Sequence, residues 1–231
     1  MKRKGLMHEV SRSTMLVSGC VLMLMTTVVG CGGDGGGSKP DVPATAAAYT
    51  ERGWGRFEAG DFDGALSDFD DALGLETNYG PAYLGQGWSR LSLATSNTSK
   101  QLATASFDSA LAHGQSVEDC LSGRAAAYLG VGGNPSYISA ISDALLALQS
   151  SPDFVFAHRN SFDATDLKLI IAFAYAAQDH LPAALSAADE VADSGIQQGD
   201  SGTWVVGGES YDSFKGAVLA HLQKLSDEHA G

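Results

Sequence analysis

A motif that recurs after 34 residues constrains the fold of this chain more than any other feature. Five residue types return in the same order and at the same spacing, with Ala48, Tyr49, Gly53, Trp54 and Arg56 repeated as Ala82, Tyr83, Gly87, Trp88 and Arg90. Self-similarity at this period is typical of stacked helical hairpins, because each hairpin needs its neighbours to bury its apolar face. The sequence therefore predicts an all-α repeat protein, an architecture that usually binds other proteins.

Each repeat contains a second helix. Ala65, Phe69 and Ala72 follow the first motif at spacings of four and three residues, which places them on one helix face. Between the two helices, Gly60 allows the chain to turn and Asp61 can cap the helix that follows. This order of aromatic, small and turn residues resembles the tetratricopeptide repeat. In that family, small residues let the two helices of a hairpin approach closely.

The resemblance extends from residue 44 to residue 192 and predicts one domain over 45–231. Helical hairpins are expected at about 45–79, 80–114, 117–152 and 164–192, followed by a loop over 194–209 and a capping helix over 211–225. The turn inside the second hairpin is about four residues longer than that of the first, either as a tolerated insertion or as a loop that adds partner contacts. The predicted fold class is an α-solenoid of three to four tetratricopeptide-like hairpins with a C-terminal capping helix.

The first 30 residues have the order of a secretory signal, with basic residues followed by an uncharged, mostly apolar run over 13–30. Small residues directly before Cys31 resemble the lipobox of bacterial lipoproteins, in which the cysteine is acylated and becomes the new N-terminus. A similar string ending at Cys20 leaves too short an apolar core. We therefore predict a signal peptide over 1–30, lipidation of Cys31 and a glycine-rich tether over 31–44. The resemblance implies a cell-envelope protein on the outer membrane that faces the periplasm.

The charge of the chain excludes some partners. The formal net charge is −13, and the signal contributes +3, which leaves −16 for the rest. An acidic body disfavours nucleic acid and repels anionic lipid, so membrane attachment has to come from acyl chains. Beyond the signal and Cys31, Cys120 remains, and its apolar surroundings predict a buried core residue rather than a reactive thiol.

No catalytic motif or cofactor site is recognisable in the sequence. Five histidines beyond the signal lack a second histidine or cysteine three or four residues away, so no metal pair is predicted: His113, His158, His180, His221 and His229. An acidic cluster over 61–71 lacks the glycine and final glutamate of a calcium loop. Within it, Asp68 and Asp71 are expected to point to solvent. The chain is therefore predicted not to be an enzyme.

A partner site follows from the resemblance, because the first helices of successive hairpins line a concave groove in this family. The residues expected there are Trp54, Phe57, Trp88, Leu91 and Tyr128, together with Arg56 and Arg90. Large aromatic residues often dominate binding energy, and paired guanidinium groups can bind carboxylates of an extended peptide. Two alternatives stay open at this point. The tryptophans could instead pack between hairpins, and the arginines could pair with local acids.

The sequence thus favours a lipid-anchored, non-catalytic adaptor whose concave groove binds a peptide or helix of an unidentified envelope protein. A small-ligand-binding lipoprotein, for example one that presents sugars to an outer-membrane transporter, is the alternative, since tryptophans also stack on sugar rings.

Overall fold

The structure, a computed structural model, describes residues 45–230; the predicted signal over 1–30, Cys31 and the tether over 31–44 lie outside these residues. Within the described part the chain forms nine α-helices, namely α1 (Ala46–Glu58), α2 (Phe62–Leu75), α3 (Gly80–Leu93), α4 (Asn97–Ala112), α5 (Val117–Val131), α6 (Asn134–Ser150), α7 (Ala164–Ala177), α8 (Leu181–Asp189) and α9 (Phe214–Ala230). Between α8 and α9, β1 (Val205–Val206) pairs antiparallel with β2 (Glu209–Ser210).

The helices form four hairpins that stack in chain order. Each odd-numbered helix from α1 to α7 packs against the helix that follows it, and each hairpin also contacts the next one. The first helices of successive hairpins touch as well, so that α1, α3, α5 and α7 share one surface. We call this surface the first-helix face; it corresponds to the groove predicted from the sequence.

Glycines allow the hairpins to approach closely. The buried ring of Phe69 lies between Gly53 of its own hairpin and Gly85 of the next, where an added Cβ would lie 2.8 Å and 2.2 Å from ring carbons. Phe107 occupies the same kind of gap, since a Cβ on Gly87 or Gly123 would lie 2.7 Å or 2.3 Å from its ring. The glycines of the repeated motif are therefore required by packing.

The second hairpin corrects one expectation. The additional residues of its inter-helix turn do not form a long loop, because α3 ends at Leu93 and α4 already begins at Asn97. Ser96 and Ser99 form a capping box in which each side chain accepts a hydrogen bond from the other residue's backbone N–H. A capped start satisfies otherwise unpaired backbone donors, so the insertion lengthens the helix instead.

A second apolar cluster closes the C-terminal end of the described chain. On α9, Val218, Leu222 and Leu225 are buried against α7 and α8. Trp204 packs on this cluster, and its Nε1–H donates to the carbonyl of Gln197 at 2.8 Å. The segment expected to be an irregular loop is therefore partly ordered by β1, β2 and this tryptophan. Within 45–230, none of the helices combines the length and apolar character needed to cross a bilayer.

Candidate functional site

Two tryptophans dominate the first-helix face. Trp54 lies on α1 and Trp88 on α3, and both side chains are in the main apolar cluster, with 9% and 0% of their surface exposed. Their helices place them side by side because the hairpins repeat in register. Phe57, 2% exposed, follows Trp54 by one turn and packs edge-on to it at 5.5 Å between ring centroids.

The chain covers this face with its own residues 151–163, which connect α6 to α7; we call them the covering segment. The ring of Phe156 stacks on Trp88 at a centroid distance of 4.1 Å and meets Trp54 edge-on at 5.9 Å. Phe162 also contacts Trp88, edge-on at a centroid distance of 5.1 Å. Aromatic contacts therefore join the covering segment to two hairpins far away in sequence.

Polar contacts hold the rim of the covering segment. The ring of His158 lies parallel to Trp54 at 3.8 Å, and its Nδ1 is 2.8 Å from Oε1 of Glu58. Arg159 donates to Oγ of Ser92 at 2.9 Å, and its guanidinium lies 5.1 Å from the ring centre of Phe57. The segment thus contacts both α1 and α3 through aromatic groups inside and polar groups at the edge.

The covering segment also closes on itself. The N–H of Phe156 donates to the carbonyl of Phe162 at 2.9 Å, and the N–H of Ala164 donates to the carbonyl of Phe154 at 2.8 Å. Val155 and Asp163 form an antiparallel bridge between the two arms. These bonds satisfy backbone groups that burial would otherwise leave unpaired.

The predicted site residues are therefore placed as follows. Trp54, Phe57 and Trp88 lie on the first-helix face, and the covering segment packs on all three. Leu91 and Tyr128 are partly buried and pack against the same cluster. Whether any of these residues binds a partner stays a prediction.

Arg56 and Arg90 point toward the second helices of their hairpins. Arg56 donates to the carbonyl of Gly64 at 3.0 Å and lies 3.2 Å from a carboxylate oxygen of Asp68. Arg90 donates to Oγ of Ser106 at 2.8 Å. Both guanidinium groups therefore have local acceptors, and whether they also bind peptide carboxylates stays a prediction.

A polar ladder between the helices was not recognised in the sequence. Arg52, Gln86 and Arg124 occupy equivalent places on α1, α3 and α5, and each binds a polar side chain of its own second helix or of the preceding one. Arg52 donates to Asp68 of α2. Gln86 donates to Asp70 of α2 and accepts from Ser106 of α4. Arg124 donates to Asp108 of α4 and to Asp143 of α6. Hydrogen bonds to Asp143 and Asp68 raise the pKa of Arg124 and Arg52. Both guanidinium groups therefore stay charged.

Asp68 corrects a second expectation, because it is 1% exposed rather than on the solvent side of its helix. Its carboxylate accepts from Nε of Arg52 at 2.9 Å, which compensates its burial.

A cluster of two aspartates and a histidine forms at the start of α7, with the members Asp163, Asp166 and His229. The fold brings His229 to Asp166 across 63 residues of sequence. Both aspartates cap the start of α7, so their carboxylates already accept backbone hydrogen bonds.

Cys120 is buried on α5, as the sequence predicted. Loss of hydration raises the pKa of its thiol to about 12, so the nucleophilic thiolate is scarce at neutral pH.

Comparisons with known proteins support the fold. No protein-family model and no curated protein sequence matches the chain. Among solved structures, the chain is similar to YrrB, described as a TPR protein with an unusual peptide-binding site. The TM-score is 0.51 at 17% sequence identity, over 80% of this chain and 80% of that chain. The predicted α-solenoid of tetratricopeptide-like hairpins with a C-terminal capping helix is thereby confirmed, and at this identity the likeness extends to the fold alone.

Proposed function

We propose that this chain is a non-catalytic adaptor that binds a peptide or helix of another envelope protein on its first-helix face. The observation that supports the proposal is that Trp54 and Trp88 already hold the side chain of Phe156 between them. A similar fold in a protein described as having a peptide-binding site supports the same role. Cys120, the one thiol of the described residues, is buried with its pKa raised to about 12, which gives no support to nucleophilic catalysis there.

Lipid anchoring is the second part of the proposal. Acylation of Cys31 would hold the helical domain at the membrane, and the glycine-rich residues after it would let the domain reach partners nearby. Attachment of two or more acyl chains is stable, whereas one chain holds only weakly. Localisation on the outer membrane, facing the periplasm, would raise the effective concentration of the adaptor for envelope partners. Mass spectrometry of the membrane fraction tests this part, and an unmodified or uncleaved N-terminus would contradict it.

The alternative of a sugar-binding lipoprotein has less support. Sugars stack on exposed faces of aromatic rings, but Trp54 is stacked on His158 and Trp88 on Phe156. Within the described residues, each of the two tryptophan rings on which a sugar would stack is therefore already covered by another ring on one face.

An affinity capture experiment tests the adaptor. Detergent-solubilised envelopes are passed over the wild type and over Glu58→Lys/Leu91→Ser, which changes the edge of the first-helix face. Asp71→Lys/Leu102→Ser is the matched control, because it makes the same chemical changes at exposed positions of α2 and α4. We expect the wild type and the control to capture the same proteins and the groove variant to lose them. Equal capture by all three would contradict the proposed site.

A further inference from the structure

The covering segment is built like a bound peptide. Along it, Phe154 and Phe156 are 3% and 1% exposed, while Val155 between them is 52% exposed. Alternation with a period of two indicates that the chain is extended over 154–156. It then turns, since the N–H of Arg159 donates to the carbonyl of Phe156 at 3.0 Å. Extended ligands are recognised in this way, with pockets for alternate side chains.

The contacts of the segment define which chemistry the face accepts. Phe156 fills the space between Trp54 and Trp88, and two residues later His158 stacks on Trp54 beside the carboxylate of Glu58. An aromatic side chain followed after one residue by a basic or imidazole side chain therefore matches this surface. The acidic chain offers a complementary field for such a cation.

The internal fit is incomplete at Trp88. Its Nε1–H is buried, and no group within residues 45–230 accepts a hydrogen bond from it. Thr50, one turn before Trp54 on α1, likewise has a buried hydroxyl for which the described part of the chain provides no partner. Buried donors are normally paired, so a ligand whose backbone carbonyl reached Nε1 of Trp88 would gain an interaction that the covering segment does not make.

The covering segment is also arranged so that it can leave as a unit. At its ends the segment shares backbone hydrogen bonds with the flanking helices, from Ser151 to Ala147 of α6 and from Leu167 of α7 to Asp163. Its contacts with α1 and α3, in contrast, are made through side chains. Opening would therefore break side-chain contacts and leave the helical hairpins with their own hydrogen bonds intact.

We propose that the covering segment is an internal ligand of the first-helix face, and that a partner binds by replacing it with a segment of the same chemistry. That chemistry is two aromatic side chains on alternate residues followed, after one more residue, by a basic or imidazole group. This inference rests on the proposed adaptor function and adds to it the class of partner and a competition within the chain. The free face is exposed only while the covering segment is displaced, so the segment lowers the apparent affinity for the partner.

A fluorescent peptide with the sequence of residues 151–163 tests the proposal by fluorescence anisotropy. It is titrated into the full chain, purified in detergent, as wild type and as Phe156→Ala, which weakens the internal contact. His158→Gly is a second opened variant that leaves the aromatic core in place, and it decides the outcome if Phe156→Ala does not give the helical circular dichroism of the wild type. A peptide with both Phe154 and Phe156 replaced by alanine is the control ligand.

We expect the opened variants to bind the peptide at least about tenfold more tightly than the wild type, because a tethered competitor acts at roughly millimolar effective concentration. The control peptide should not bind. Folded opened variants that fail to bind the peptide, or that bind it no better than the wild type, would overturn the proposal. The proposal would also be overturned if the wild type formed a dimer that the opened variants lose while still not binding the peptide. The face would then bind a second copy of the chain.

Failure of this inference is distinguishable from failure of the adaptor function. Envelope proteins captured by the wild type, together with no peptide binding by either opened variant, would refute the internal ligand alone. Peptide binding by the opened variants without capture of any envelope protein would leave the internal ligand established and refute the adaptor.

Discussion

At the scale of single residues, the distance between hairpins depends on glycines that face aromatic rings. A Cβ on Gly85 would lie 2.2 Å from ring carbons of Phe69, whereas a Cβ on Gly55 meets nothing within 4 Å. We expect Gly85→Ala to lower the free energy of unfolding by about 1–3 kcal/mol, since overpacking outweighs the better helix propensity of alanine. Gly55→Ala should instead raise it by about 0.5–1 kcal/mol. Urea denaturation followed by circular dichroism measures both, and equal effects would contradict this packing.

Cys120 gives a second test at this scale. Because its thiol is buried and its pKa is raised to about 12, we expect it to resist a water-soluble thiol reagent in the folded protein. The experiment uses Cys20→Ser/Cys31→Ser, in which Cys120 is the remaining cysteine, and follows the release of the chromophore. Labelling should become complete only after urea denatures the protein. Rapid labelling without denaturant would show that the thiol is accessible.

Asp119 links stability to pH. Burial raises the pKa of its carboxyl group in the folded protein, so folding disfavours the charged form. Its stabilising contribution is therefore fully present below the unfolded pKa of about 3.9 and is lost as pH rises through the higher folded pKa. We expect Asp119→Asn to gain stability relative to the wild type between pH 3 and pH 7, roughly. A difference in unfolding free energy that stays constant over this range would contradict the assignment.

At the scale of helices, Arg124 joins α5 to both neighbouring second helices. Its Nε donates to Asp143 at 2.7 Å, and the Asp143 side chain is only 8% exposed. We expect Arg124→Leu to cost about 3 kcal/mol of unfolding free energy, because it leaves a buried carboxylate without its partner. Arg124→Leu/Asp143→Leu should recover most of that loss in the same denaturation experiment. A loss below about 1 kcal/mol in the single variant would mean that water satisfies Asp143 instead.

The helices were predictable because their signals are local. Spacings such as those of Ala65, Phe69 and Ala72 indicate a buried helix face without knowledge of the neighbours. Asp68 was misplaced because its helix face is covered by arginines of α1, which only the paired hairpin reveals. The contact of Phe156 with Trp54 spans about a hundred residues, and no periodicity carries such information. Three phenylalanines in one inter-helix connection, Phe154, Phe156 and Phe162, were the available signal that this connection is buried.

At the scale of the whole molecule, the hairpins form the first-helix face, and the covering segment of the same chain packs on it. Side chains from several repeats lie on the first-helix face, so a partner that binds there contacts several hairpins at once rather than a single residue. The covering segment keeps the apolar part of that face out of water, and in our proposal a partner competes for it. Covering this face also limits unspecific association, since exposed aromatic patches promote it.

A photo-crosslinking experiment in living cells tests the central claim most directly. A photoreactive phenylalanine analogue replaces Leu91, which lies on α3 at helical spacing from Trp88, and in a second strain it replaces Leu145, which is 51% exposed on α6. Irradiation followed by mass spectrometry identifies what each position touches. We expect position 91 to crosslink an envelope protein through a segment with aromatic residues, and position 145 not to do so. Crosslinks from position 91 only within the chain, or the same partners at both positions, would contradict the account.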